Sequence, residues 1–288
     1  MSPKYLGAVL MALAASIWGG MYVVSKIVLA AVDPLALVWL RYVVALAALV
    51  FVVLITRQSW RIRFRDVPLV VAIGVIGYAI SIWTQFVGTK LSTAQMGAMI
   101  TSATPAFMVI FGRIILGERI TLRRALSVGL ATIGVLMIVG IGGFGPKYEI
   151  GGVILFIAAL TWALMSVLVK RVSAEYSQLV VTTYAITVAT IVITPVGLRQ
   201  MHGMGNLLSH PVLWGGVLYL GIISTAGAFF LWNKGLQMVD AASGGLYFFF
   251  QPLVGTFLGW VILGEQVTIA FWMGALLILA GVLLVVRE

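Results

Sequence analysis

TPAFMVIFGRIILGERIT, residues 104–121, and QPLVGTFLGWVILGEQVT, residues 251–268, are one pattern written twice. Pro105, Gly112, Gly117, Glu118 and Thr121 return as Pro252, Gly259, Gly264, Glu265 and Thr268, always 147 positions later. Gly134 returns as Gly281 by the same step, while Trp18 returns as Trp162 and Lys26 as Lys170 at an offset of 144. So many ordered matches mark a duplicated unit. The chain divides accordingly into residues 1–141, a linker at 142–148 and residues 149–288.

What surrounds the duplicated pattern is almost entirely apolar. Of 288 residues 62% are hydrophobic and only 9% charged, which leaves too little polar surface to face water on all sides. A bilayer removes that demand. The net charge of +10 does not point to nucleic acid, because the basic residues fall between apolar runs and form no polar domain. Cysteine is absent, which excludes a disulfide framework, thiolate metal sites and a cysteine nucleophile.

Ten apolar runs are expected to span the membrane: Tyr5–Ala30, Pro34–Thr56, Asp66–Val87, Ser92–Leu116, Thr121–Gly140, Glu149–Lys170, Ser177–Gly197, Pro211–Asn233, Asp240–Leu263 and Thr268–Val286. Each can cross roughly 30 Å of hydrocarbon as a helix rising about 1.5 Å per residue. Strands are excluded because the alternation of a barrel wall is missing, and lipid gives an open strand no partner. The first run is too long for a signal peptide and is expected to remain as a span. With ten spans, 13 Lys and Arg residues fall on the side of the termini and three, Lys90, Lys147 and Arg199, on the other. The positive-inside rule then puts both termini in the cytoplasm of a bacterial inner membrane protein. A five-helix unit begins its second copy from the opposite side, so the copies are inverted, the arrangement on which alternating access rests.

These residues carry a resemblance. The G-E-x-x-T elements, the A-x-x-W pairs Ala15–Trp18 and Ala159–Trp162, the matched prolines and the closing GALLILAGV of Gly274–Val282 resemble the EamA family of the drug/metabolite transporter superfamily. Within it the chain is most similar to the YddG-type exporters of aromatic amino acids. The resemblance implies ten helices, cytoplasmic termini, and a cavity lined by helices one, three, four, six, eight and nine.

Pro105 and Pro252 are expected to bend their helices near the membrane middle, freeing the carbonyls of Thr101 and Phe248 beside a substrate site. The alternative is bending for packing alone. Small residues precede both prolines: Ala94, Gly97, Ala98, Thr101 and Ser102 in one copy, Ala242, Gly244 and Gly245 in the other. Close helix approach explains them, and so does room for a ligand. Trp18 and Tyr22 share a helix face, and Trp162 and Ser166 repeat that spacing. Tyr78 and Gln85 share another, Trp232 is the repeat mate of Gln85, and Tyr247, Phe248 and Gln251 stand close to Pro252. Indole, phenol and amide groups can hold a carboxylate and an ammonium without carrying charge, and ring faces accept an apolar side chain. Core packing and the interfacial aromatic belt are the competing explanations.

All eight carboxylates fall at span ends or in loops, so a proton-exchanging carboxylate at mid-membrane is not expected and a neutral or zwitterionic cargo is. Glu118 and Glu265 are expected to favour the start of the helix that follows each. Lys26 and Arg41 fall within outer halves of their spans and are expected to snorkel to the interface; the alternative is a pull on a substrate carboxylate from the cavity mouth. A phosphate-bearing cargo would want several buried cations, which the central region is not expected to hold. His202 and His210 share one loop without further ligands, so no metal, cofactor or catalytic residue is expected.

The expected function is export of small metabolites, foremost amino acids, by a monomeric carrier whose partners are its substrate and the lipid bilayer. A channel-like pore and cargo such as nucleosides or sugars stay open. A membrane-embedded enzyme or scaffold lacks supporting residues.

Overall fold

The computed structural model describes residues 3–117, 119–140, 145–173, 175–201, 210–236, 238, 247–248 and 250–286. Several expectations lie outside the described residues: the role of Glu118, residues 142–144 of the linker, His202, the small residues Ala242, Gly244 and Gly245, the entry to the ninth span at Asp240, and the ends at Met1 and Glu288.

Among the described residues the chain is helical and holds no strand. The long helices are α1 (Pro3–Leu29), α2 (Pro34–Ile55), α3 (Phe64–Leu91), α4 (Ala94–Leu116), α5 (Leu122–Gly140), α6 (Pro146–Val169), α7 (Gln178–Met201), α8 (Pro211–Trp232), α9 (Phe250–Leu263) and α10 (Ile269–Val286). Seven of them, α1–α4 and α6–α8, are long and apolar enough to cross a membrane. Outward faces carry large apolar side chains such as Phe51, Leu136, Ile191, Phe257, Trp260 and Leu276, as a lipid solvent requires.

Boundaries depart from the sequence reading in several places, α3 among them, which runs on to Leu91 rather than ending at Val87. α6 opens at Pro146, so the last three residues of the expected linker are already helical. α7 continues through Pro195 to Met201 rather than stopping at Gly197. The described part of α9 starts at Phe250, two residues before Pro252, and Phe249 just ahead of it lies outside the described residues. Pro105 does interrupt a helix: α4 breaks at Ser102–Ala103 and resumes at Thr104. The Thr101 carbonyl is not left free, because the Thr104 hydroxyl donates to it at 2.7 Å.

The G-E-x-x-T element resolves into separate jobs. Gly117 and Gly264 end their helices with φ of 71° and 64°, the left-handed region where a Cβ is costly. Thr121 and Thr268 open the next helices, their hydroxyls accepting from the N–H groups of Arg124 (3.3 Å) and Phe271 (3.1 Å). Glu265 does not serve its own following helix, as expected from sequence, because Thr268 already caps it. Its carboxylate reaches α4, accepting from the backbone N–H of Ala94 at 2.6 Å and of Gln95 at 2.9 Å. Thr93 takes the N–H of Met96, so three of the donors that open α4 are satisfied by side chains.

A second correction concerns Lys26. It does not snorkel: its ammonium donates to the carbonyls of Thr89 (2.8 Å), Lys90 (3.1 Å) and Ser92, closing the end of α3. Lys26 and Glu265 therefore join α1, α3, α4 and the α9–α10 turn at one face. At the arginine-rich face the two halves meet again. Tyr176 donates to Asp66 at 2.5 Å, Arg63 pairs with Glu175 at 2.8 Å, and Tyr184 donates to the Trp60 carbonyl.

Glycines set the closest helix approaches. α5 lies along α10 with Gly134 and Gly274 face to face; a Cβ on either would come within 2.6 Å of the other's carbonyl oxygen. Gly97 admits the Tyr22 ring, and Gly255 meets the Ala98 methyl. Close approach is thus what the small face of α4 provides.

A nine-residue π-helical stretch interrupts α3 at Ile73–Ser81 and another interrupts α8 at Tyr219–Gly227. Wide turns of this kind re-aim the side chains that follow them. Both stretches lie beside the same cavity.

Candidate functional site

Trp18 and Tyr22, one turn apart on α1, place an indole against the second half of the molecule and a phenol against α3 and α4 of the first. The Trp18 indole N–H donates to the Ser224 carbonyl in the π stretch of α8 at 3.1 Å. Its rings lie 5.7 Å from Phe229, 5.3 Å from Trp232 and 6.0 Å from Phe248. Trp162 of α6 stacks on Phe229 at 6.0 Å, and Tyr78 meets both edge-on. Tilted and edge-to-face contacts of this sort are the favoured aromatic arrangements.

Tyr22 belongs to a polar chain that joins four helices. The Thr101 hydroxyl donates to the Gly97 carbonyl at 2.7 Å, so its oxygen is left to accept. It accepts from the Tyr22 hydroxyl at 2.5 Å and from the Gln251 amide at 2.8 Å. The Gln85 amide donates to the Tyr22 oxygen at 2.5 Å. The Gln85 carbonyl oxygen is buried and has no partner among the described residues.

Between the rings and this chain lies a cavity of about 40 Å³, lined by Trp18, Met21, Tyr22, Arg41, Ile82, Gln85, Thr101, Thr104, Ala158, Trp162, Phe229, Phe248 and Gln251. That volume holds two or three waters, less than an amino acid needs. The wall draws on α1, α3, α4, α6, α8 and the α9 region, and α2 adds Arg41.

Seven of the residues singled out from sequence line the cavity: Trp18, Tyr22, Gln85, Thr101, Trp162, Phe248 and Gln251. Tyr78 and Trp232 stand behind it, packed on the lining rings. Ser102 and Ser166 turn to their own helices, donating to the carbonyls of Met99 and Trp162. Tyr247 is half-buried and outside the lining; Pro105 and Pro252 are buried and also outside it. The sequence reading missed Met21, Ile82, Thr104, Ala158 and Phe229, each three or four positions along its helix from a residue it named. Helical spacing would have found all five.

Arg41 is the main correction. It is 2% exposed, not snorkelling, and it puts a cation in a region expected to hold none. Its Nε donates to the Thr225 hydroxyl at 2.7 Å, and its two terminal nitrogens reach Met21 Sδ at 3.4 Å and Ser224 Oγ at 3.5 Å. The guanidinium carbon lies 5.3 Å from the Phe86 ring centre.

Comparison with known proteins agrees with this architecture. The model of the EamA-like transporter family matches twice, at residues 5–140 and 149–287. A permease-like protein of Bacillus subtilis, YdzE, is 68% identical over 71 residues, 25% of this chain and 91% of its own. An uncharacterized transporter of Archaeoglobus fulgidus is 26% identical over 97% of this chain and 98% of its own. A protein of Streptantibioticus cattleyicolor named a probable terminal-alkyne amino-acid exporter is 26% identical, covering 79% of this chain and 76% of its own. One solved crystal structure superposes with a TM-score of 0.67 at 21% identity, covering 96% of both chains, a likeness of fold alone.

Proposed function

This chain belongs to the EamA-like transporter family, and from that premise we propose that it exports small neutral or zwitterionic metabolites, foremost amino acids with apolar or aromatic side chains. The observation that carries the reading is the cavity wall. Trp18, Trp162 and Phe229 offer ring faces to an apolar group, while Tyr22, Gln85, Thr101 and Gln251 offer neutral hydrogen-bonding groups beside them. That combination suits a molecule with one apolar end and one polar end. The relative named as an amino-acid exporter favours the same class, and the kinship with YddG-type exporters belongs to this proposal.

The mechanism proposed is alternating access. Residues 1–141 and 149–288 act as inverted five-helix halves, and ten spans bring both termini to the cytoplasmic side of a bacterial plasma membrane, in line with the distribution of Lys and Arg. The chain works as a monomer. Contacts across the halves hold both faces, at Glu265 with Ala94 and Gln95 on one and at Asp66–Tyr176 and Arg63–Glu175 on the other. Opening either set gives the cavity a path to one side. The cavity must also widen, since 40 Å³ does not admit the cargo.

Purified protein in liposomes, loaded with unlabelled amino acid and given labelled amino acid outside, tests the proposal. Saturable counterflow is expected, and Trp162→Ala should lower it about tenfold or more, the equivalent of ~1.4 kcal/mol of lost contact. Flux that rises linearly with concentration and lacks counterflow would indicate a pore instead. Unchanged flux in both Trp162→Ala and Trp18→Ala would remove the cavity from the path.

A further inference from the structure

Arg41 presents five N–H donors, and three have partners: the Thr225 hydroxyl, the Ser224 hydroxyl and the Met21 sulfur. None of these partners is charged. Among the described residues no Asp or Glu pairs with it, and none lines the cavity. A buried cation with no anion in contact is costly unless something supplies one. Arg41 lines the cavity itself, so what enters the cavity can supply it. On the same wall the Gln85 carbonyl oxygen is buried without a donor.

We propose that Arg41 is the anchor for a carboxylate on the substrate, with the Gln85 carbonyl oxygen receiving an N–H donor such as the ammonium of an amino acid. The inference rests on the transport proposal above and narrows its substrate class to molecules bearing a carboxylate. The remaining N–H groups of a guanidinium suit two carboxylate oxygens, whereas an amide or amine in the same place leaves the charge uncompensated. The π stretch of α8 positions the anchor. Thr225 accepts from Arg41 while donating to the Leu220 carbonyl five residues earlier, and Ser224 stands beside it.

The test compares four probes on protein in nanodiscs and in liposomes: phenylalanine, phenylalaninamide, 3-phenylpropionate and 2-phenylethylamine. Acids are expected to raise the unfolding temperature and to compete with labelled phenylalanine in counterflow at least tenfold better than the amide. Competition by 3-phenylpropionate as strong as by phenylalanine would show that the carboxylate suffices. Competition by phenylalanine alone would show that the Gln85 contact is needed as well. Both results support the anchor. Arg41→Gln should abolish the preference for acid over amide, and Arg41→Lys should keep part of it. Equal responses to acid and amide in the unmodified protein overturn the proposal without any variant, so a poorly folded Arg41→Gln cannot hide its failure. A folded Arg41→Gln that keeps the preference overturns it too, as does the absence of any response to the two acids. Amino acid counterflow without acid preference would sink the anchor and leave the transport proposal standing. Arg41-dependent binding of carboxylates without amino acid flux would do the reverse.

Discussion

The carboxylate of Glu265 holds the backbone N–H of Ala94 at 2.6 Å, so a turn of the second half caps a helix of the first. The same carboxylate takes the N–H of Gln95, and the Gln95 side chain returns a contact to the Glu265 carbonyl at 3.4 Å. The start of α4 is therefore built jointly by both copies of the repeat.

Removing that cap should destabilise the protein. Glu265→Ala leaves two N–H groups at the opening of α4 without acceptors and is expected to cost about 1–2 kcal/mol. Glu265→Gln keeps one acceptor and should cost less. Thermal unfolding of the purified protein measures both; an unaltered midpoint for Glu265→Ala would mean that water replaces the carboxylate at no loss.

The pH dependence of this contact has a definite sign. Burial raises the Glu265 carboxyl above its usual 4.5, outweighing the two backbone N–H groups and the Lys26 charge that pull it down. A carboxyl raised in the folded state binds a proton more readily there than in the unfolded chain. Its contribution is full below its ordinary value and is lost as pH rises through the raised one. The unfolding midpoint of the unmodified protein, taken relative to Glu265→Gln, should rise as pH falls from 7 towards 4.5. The opposite slope would show that the N–H groups and Lys26 dominate over burial.

The two turn glycines allow a test free of packing effects. At Gly117 and Gly264 nothing lies within 4 Å of an added Cβ, so substitution there meets only the left-handed backbone. Gly117→Ala and Gly264→Ala should each cost about 1 kcal/mol, with substrate affinity unchanged. A cost near zero at either would place that turn in a different conformation.

Gly134 and Gly274 give the opposite case. A side chain on either would run into the facing backbone, so Gly134→Leu or Gly274→Leu should push α5 and α10 apart at a cost of about 1–3 kcal/mol or more. Reduced yield of inserted protein and a lower unfolding midpoint are expected, with Gly129→Leu as control because that position is open. Equal behaviour of Gly129→Leu and Gly134→Leu would refute the close α5–α10 contact.

Helix positions were legible along the chain because each apolar run carries its own signal, and lipid leaves backbone no alternative to a helix. The aromatic and amide lining was legible where spacing put Trp18 beside Tyr22 and where the repeat paired Trp18 with Trp162. Ser166 and Ser102 misled for a local reason: a serine hydroxyl on a helix reaches a carbonyl three or four residues back, and both do so here. The π stretches left no mark in the sequence, since a short run of wide turns changes hydrogen-bond register within an apolar run that stays apolar throughout.

Charges divide the two kinds of knowledge most clearly. Composition, helical periodicity and the internal repeat alone determined a helical membrane chain, its duplicated halves, and a set of rings and amides at helical spacing, because these are read from local patterns and their recurrence. Only the tertiary structure decided where Lys26, Arg41 and Glu265 go. Their partners, Thr89, Thr225 and Ala94, lie 63, 184 and 171 positions away. A buried ionic group is placed by whatever helix happens to face it, and no local pattern encodes that.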